Sequence, residues 1–138
     1  MVFLACILNE GEYKGVRILE PQSIGLMFED QLPRGFSEGL SGGSSGEEAE
    51  AAISLQAAPS AQEAHSLAWA LEPRDNDFGR RKGTGFWSGI FNTYYSVDRQ
   101  SGIAVVMLHN FAPFADRESI DLYKMFELMV RGDAIADE

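Results

Sequence analysis

Cysteine, histidine and basic side chains are scarce in this chain. One of its 138 residues is cysteine and two are histidine. A lone Cys6 excludes an intramolecular disulfide and fits a reducing compartment. Set in the apolar run Val2-Phe3-Leu4-Ala5-Cys6-Ile7-Leu8, it reads as a small buried hydrophobe and not as a nucleophile. His65 and His109 have no ligand-spaced partners, so there is little basis for a zinc site, and neither metal nor cofactor is expected. Eleven Lys and Arg against 21 Asp and Glu leave a net charge of −10, which argues against nonspecific nucleic-acid binding, since that needs a basic surface to displace counterions. Long apolar runs are also missing. The run at residues 2–8 is too short to cross a bilayer, has no basic residues before it and leads directly into Asn9-Glu10-Gly11-Glu12, so it is neither a span nor a signal peptide. The default expectation is a soluble cytoplasmic protein without nucleic-acid or membrane partners. No repeat or phosphate-cradling glycine loop is visible.

Organisation follows from composition. Residues 1–33 read as a helical segment, with Pro21 suited to a first helical turn and Ile24, Met27 and Phe28 on one face. Residues 34–65 are Gly/Ser-rich and then Ala/Glu-rich, with few large apolar side chains. They are expected to be a flexible insertion carrying a short helix over residues 47–58. Residues 66–132 hold the strands and the last helix of the same domain. A strand is expected within Ser66-Leu67-Ala68-Trp69-Ala70-Leu71. Asp116 is placed to cap the last helix, Ile120, Tyr123, Phe126 and Val130 to form its inward stripe, and Gly132 to end it, so that residues 133–138 fray.

The densest information lies in residues 83–111. Residues 93–97 are β-branched and aromatic, and Ile103-Ala104-Val105-Val106-Met107-Leu108 is unbroken apolar sequence. Asp98-Arg99-Gln100-Ser101-Gly102 between them supplies turn formers and ends on a glycine able to take positive φ, so the two runs should pair antiparallel. A strand that does not alternate is covered on both faces, which calls for helices on each side of the sheet. The fold class is therefore α/β of the α+β type.

Trp87-Ser88-Gly89, followed by Ile90-Phe91-Asn92-Thr93 and this hairpin, resembles the third motif of the class C β-lactamase-like serine hydrolases, a family of esterases, transesterases and penicillin-recognising enzymes. Residues 2–33 are similar to the family's helix, turn and Pro-capped helix, and residues 111–131 to its closing helix. Gly79-Arg80-Arg81-Lys82-Gly83-Thr84 is closest to the fungal acyltransferases of the lovastatin type. The resemblance implies a partial β-lactamase/transpeptidase-like fold, an antiparallel sheet flanked by helices including a C-terminal one. It also implies a truncated acyltransferase, transesterase or esterase, with a setting like that of fungal secondary metabolism.

The family's mechanism needs a serine in SxxK, activated by lysine and by a tyrosine of a second motif. No serine here has lysine three positions later, and the one Tyr-x-Ser match, Tyr94-Tyr95-Ser96, follows the third motif where the family's tyrosine precedes it. The resemblance thus implies a C-terminal fragment without nucleophile or base, inactive alone. What it retains is the backbone N–H of Ile90 as oxyanion donor, Gly89 leaving the approach to that backbone clear, and Trp87, Ser88 and Phe91 against the acyl group. Trp87 stands where lactam-binding relatives have lysine or histidine, which favours an ester, thioester or other acyl substrate over a lactam. Alternatives remain open. Phe86, Trp87 and Phe91 also suit ordinary sheet packing. Arg80-Arg81-Lys82 suits a solvated approach to the strand more than an anion-steering site. The chain itself suits a non-catalytic binding domain, or a subunit that pairs with a polypeptide carrying the missing motifs. Gly42-Gly43-Ser44-Ser45-Gly46 matches the nucleophile elbow GxSxG, with Asp98 and His109 in the right order, but residues 35–41 cannot form the buried strand that an elbow requires.

Overall fold

Asp98 pairs with Ile103 across the Arg99-Gln100-Ser101-Gly102 turn, and Gly102 takes φ +70°. The hairpin expected at the heart of the sequence is therefore present in the computed structural model, which describes residues 1–32 and 64–136, with the backbone alone for 133–136. Residues 33–63 lie outside it, as do the expected helix at 47–58 and the Gly42–Gly46 elbow match.

The chain opens with helix α1 (Val2–Leu8), followed by a two-residue ribbon of β1 (Glu12–Tyr13) and β2 (Val16–Arg17). Lys14 and Gly15 join the ribbon with φ +51° and +79°, the double positive-φ turn whose twist matches that of paired strands. Helix α2 (Pro21–Leu26) starts on Pro21, as the sequence predicts. The main sheet then forms from β3 (Ala70–Leu71), β4 (Gly85–Gly89), β5 (Thr93–Asp98) and β6 (Ile103–Met107), antiparallel in the order β3-β4-β5-β6. Helix α3 (Arg117–Ala136) closes the chain.

Both faces of the sheet are covered. On one face Val97, Leu71 and Trp69 pack with Leu4 and Ile7 of α1 and Ile24 of α2, and Ala104 and Val106 of β6 join them. Ile7 and Ile24 are fully buried, each worth about 1.5–3 kcal/mol of burial. On the other face Tyr94 and Val105 meet Ile120 and Tyr123 of α3, with Ile103 and Met107 at the margin. Alternate residues of β6 thus serve two cores, which is why the run does not alternate in polarity. Cys6 is buried and unpaired, in keeping with its reading as a small hydrophobe.

Three expectations are corrected. The strand at residues 66–71 is confined to Ala70 and Leu71, because the Ser66 hydroxyl accepts the N–H groups of Ala68 and Trp69 and folds 66–69 into a turn. Helix α3 does not stop at Gly132 but runs on to Ala136. Its inward stripe is also different: Phe126 is 41% exposed, and Glu127 and Arg131 take the buried positions beside Ile120 and Tyr123. The Asp116 cap is present, its carboxylate accepting the Ser119 N–H at 2.9 Å and the Ser119 hydroxyl at 2.8 Å. These bonds to the charged form hold the Asp116 carboxyl below the usual range. His65, placed by composition in the insertion, belongs to the folded body: its carbonyl accepts from Gln31 N–H and its N–H donates to Asp30.

Candidate functional site

β4 is only half covered by its outer neighbour. β3 pairs with it at Leu71–Gly85 and Ala70–Phe86 and goes no further, whereas β5 pairs with all five residues from Gly85 to Gly89. Among the described residues, no strand occupies the outer edge of Trp87, Ser88 and Gly89. The sequence produces this arrangement locally. The Ser66 turn delays the start of β3 to Ala70, and Gly85 admits the Trp69 indole so closely that any Cβ there would lie 2.1 Å from its Nε1.

Along this edge the side chains alternate as a strand requires. Trp87 shares a face with its partner Tyr95, is 43% exposed and meets the His65 ring edge-to-face at 5.5 Å between centroids. Ser88 pairs with Tyr94 and so shares that residue's face, opposite Trp87. Gly89 closes the hairpin against Thr93. A Cβ on it would stand 2.3 Å from Thr93 Oγ1, so the glycine has a reason within the hairpin in addition to the open approach expected of it. Ile90 and Phe91 form the exposed tip of the turn, 69% and 52% accessible. The structure therefore places Trp87, Ile90 and Phe91 exposed along one strand end and turn, with Ser88 and Gly89 half-buried between them and Ser88 on the opposite face from Trp87. Phe86 lies apart from them, buried on the α3 side beneath Arg80.

The residue that fixes this rim is Asn92, which the sequence does not single out. It takes φ +60° at the third position of the Ile90-Phe91-Asn92 loop, a conformation asparagine tolerates better than most, and its N–H donates to Gly89. Its fully buried amide donates to the carbonyls of Phe111 at 3.0 Å and Pro113 at 2.7 Å. Its Oδ1 accepts from the Tyr94 hydroxyl at 2.6 Å and the Asp116 N–H at 3.0 Å. One side chain thus ties the β4–β5 turn to the start of α3. An asparagine ending a three-residue loop was the available signal; three of its four partners, Phe111, Pro113 and Asp116, lie too far along the chain to be read.

Tyr94-Tyr95-Ser96 lies within β5, with Tyr94 turned into the core. The Tyr94 phenol is bonded to Asn92, its ring lies against Tyr123 at 5.3 Å, and burial pushes its pKa up to about 12. A phenol held protonated in this way is a poor base. His109 stacks on Phe111 at 5.4 Å, and its buried Nδ1 has no hydrogen-bond partner among the described residues. Among the described residues no group of three His, Cys, Asp or Glu side chains could hold a metal ion, and no helix is long and apolar enough to cross a membrane.

Arg80, read from sequence as solvated or anion-steering, is neither. It is 2% exposed and sits behind β4 over the rings of Phe78, Phe86 and Tyr123, with Nε donating to Glu127 at 2.8 Å. Glu127 also accepts from the Ser96 hydroxyl, and Arg131 donates to Ser96 at 2.8 Å and stands 3.6 Å from Asp98. On the opposite face Met1, Phe3, Leu4, Trp69, Tyr95 and Val106 line an open apolar hollow of about 280 Å³.

An antiparallel sheet between a helical pair and a long final helix matches a partial β-lactamase-like fold. No protein-family model and no curated protein sequence matches the chain. Solved structures do. A LovD6 mutant of simvastatin synthase (LovD) from Aspergillus terreus superposes with TM-score 0.78 at 20% identity, over 97% of this chain and 32% of that one. The unliganded enzyme gives 0.75 at 20% identity, over 95% and 33%. The chain spans about a third of the length of the structures it matches, and at this identity the likeness establishes the fold alone.

Proposed function

We propose that this chain is the C-terminal, substrate-side portion of a β-lactamase-like serine esterase or acyltransferase, carrying the third-motif strand but neither nucleophile nor base. The observation that carries the reading is the outer edge of β4 at Trp87–Gly89, which no strand among the described residues occupies and which is rimmed by exposed Trp87, Ile90 and Phe91. In this role the Ile90 N–H donates to the developing oxyanion, Trp87, Ser88, Gly89 and Phe91 line the acyl group, and the Trp87 side chain is an indole in place of a cation for a lactam carboxylate. The likeness to simvastatin synthase supports a small-molecule acyl ester or thioester as substrate. Lacking SxxK, the chain alone is inert. Loss of a nucleophile costs on the order of a millionfold in the well-studied protease case.

Hydrolysis of p-nitrophenyl acetate and butyrate by the folded chain tests this. No serine-dependent burst is expected. A burst abolished by Ser44→Ala or Ser88→Ala would refute it.

A second reading, a subunit completed by a polypeptide that carries the missing motifs, is favoured by apolar surface that lies exposed among the described residues. Leu122, Met125, Phe126 and Met129 recur at i, i+3, i+4 and i+7 along the outer face of α3, all at least 41% exposed, and Met1, Val2 and Phe3 stand out from α1. Titration with such a polypeptide should restore the burst and remove dye binding to the apolar surface. A monodisperse monomer that binds no apolar dye counts against it.

A further inference from the structure

Five ionisable side chains are sealed together between the sheet and α3, none more than 2% exposed: Glu72, Arg80, Asp98, Glu127 and Arg131. Three are carboxylates and two are guanidiniums, so one negative charge is in excess if all are ionised. The partners show which carboxylate is the odd one. Glu127 sits at the centre, bonded by Arg80 Nε and the Ser96 hydroxyl and 3.5 Å from Arg131. Asp98 has Arg131 at 3.6 Å and also accepts from Gln100 N–H and the Ser101 hydroxyl. Glu72 has one side-chain hydrogen bond, from Asn76 Nδ2 at 3.0 Å. Its nearest cation, Arg80 Nη1, forms a loose ion pair with it at 3.7 Å, beyond hydrogen-bond length.

The groups that face Glu72 are Arg80 and Asn76 from its own connection and Glu127 from α3, with the Tyr123 phenol beyond, against Arg80. Arg80 is already committed to Glu127, whose charge repels a second carboxylate. The main chain of Glu72 is the clasp of the 72–84 connection: its N–H donates to Thr84 at 2.9 Å and its carbonyl accepts from Gly83 at 2.7 Å, immediately before β4 begins at Gly85.

We propose that Glu72 is a proton-operated latch on the 72–84 connection: neutral, it lets the connection close over α3, and on losing its proton to solvent it loosens the clasp that leads into β4. Burial, opposed only in part by Arg80, raises the Glu72 carboxyl from 4.5 to about 7. The folded state therefore holds this proton more tightly than the open one. The stabilisation is complete below about 4.5 and is lost as pH rises towards 7, by on the order of a hundredfold in the closing equilibrium.

The test is a ¹³C NMR titration of glutamate carboxyls in the whole chain between pH 3.5 and 8.5, assigned by side-chain triple resonance, with hydrogen exchange of the Glu72 and Gly83 amides at pH 5 and 7.5. One carboxyl assigned to Glu72 should titrate near neutrality. Exchange at the two amides, corrected for intrinsic base catalysis, should speed up at least tenfold in the parent and stay level in Glu72→Gln, which mimics the neutral form. Titration of Glu72 between 4 and 5 overturns the proposal, whatever the cause, and so does an equal rise in exchange in both proteins. The titration needs no variant, so it decides the matter even if Glu72→Gln folds poorly.

Discussion

Replacing Gly85 with alanine should destabilise the fold by about 2 kcal/mol, although it adds only a methyl group to a strand. The new Cβ would stand 2.1, 2.4 and 2.6 Å from Nε1, Cδ1 and Cε2 of Trp69, where carbon contacts settle at about 3.5–4.0 Å. The indole must retreat by roughly 1 Å or more, yet it is 2% exposed, with Phe28 edge-on at 5.1 Å and Tyr95 at 6.4 Å. Overpacking costs about 1–3 kcal/mol, and a ring held between Phe28 and Tyr95 with the apolar hollow beside it takes the middle to upper part of that range. The smaller unfolded-state entropy of alanine offsets about 0.4–1 kcal/mol of that. Urea titrations followed by circular dichroism read the difference, which should lower the midpoint by about 1 M for a slope near 2 kcal/mol/M. The structure makes a sharper demand in the double variant. Trp69→Phe shortens the offending ring, so Gly85→Ala should cost less in that background, with a coupling of about 1 kcal/mol or more. A Gly85→Ala chain within 0.5 kcal/mol of the parent, or two substitutions whose effects simply add, would refute the argument.

Two further outcomes are expected. Asn92→Ala strips partners from two carbonyls, one amide and one phenol and leaves alanine at φ +60°, so a loss of about 3–5 kcal/mol is expected in the same titrations, with Asn92→Asp, which keeps the two acceptor bonds, falling between. Tyr94, Tyr95 and Tyr123 all have phenols raised by burial, Tyr94 to about 12, so the folded state keeps protons that the unfolded chain gives up near 10 and stability falls as pH climbs past 10. Absorbance at 295 nm should then lag until circular dichroism shows unfolding, and full ionisation near pH 10 in a native chain would contradict the packing around these rings.

The parts of the fold that are legible in sequence are those whose cause is local. A β-branched run, a turn ending in glycine, a proline at a first helical turn and an aspartate three residues before a serine each carry their own reason, and β5, β6, α2 and the Asp116 cap stand where those signals put them. The illegible parts depend on partners far along the chain. Nothing near Arg80 announces that Glu127, 47 residues away, will neutralise it, so a burial that inverts its expected role could not be read. The same pairing explains the unexpected face of α3: Glu127 and Arg131 look like surface residues until their counter-ions are known, and apolar spacing alone puts Phe126 inside in their place. At the rim, Trp87 to Phe91 could be located by motif, whereas the amide that holds the turn in shape could not.

The half-covered strand separates two kinds of evolutionary freedom within five residues. Gly85 and Phe86 are enclosed by β3, the Trp69 ring and Arg80, so change there is judged by whether the chain folds. From Trp87 outward no described strand covers the edge, and the rim side chains can be exchanged while Asn92 keeps the loop in shape. A library randomised at 87, 88, 90 and 91 should accordingly retain most of its folded members, whereas one randomised at 85 and 86 should lose them. A protein built this way can change what it recognises without renegotiating how it stands up.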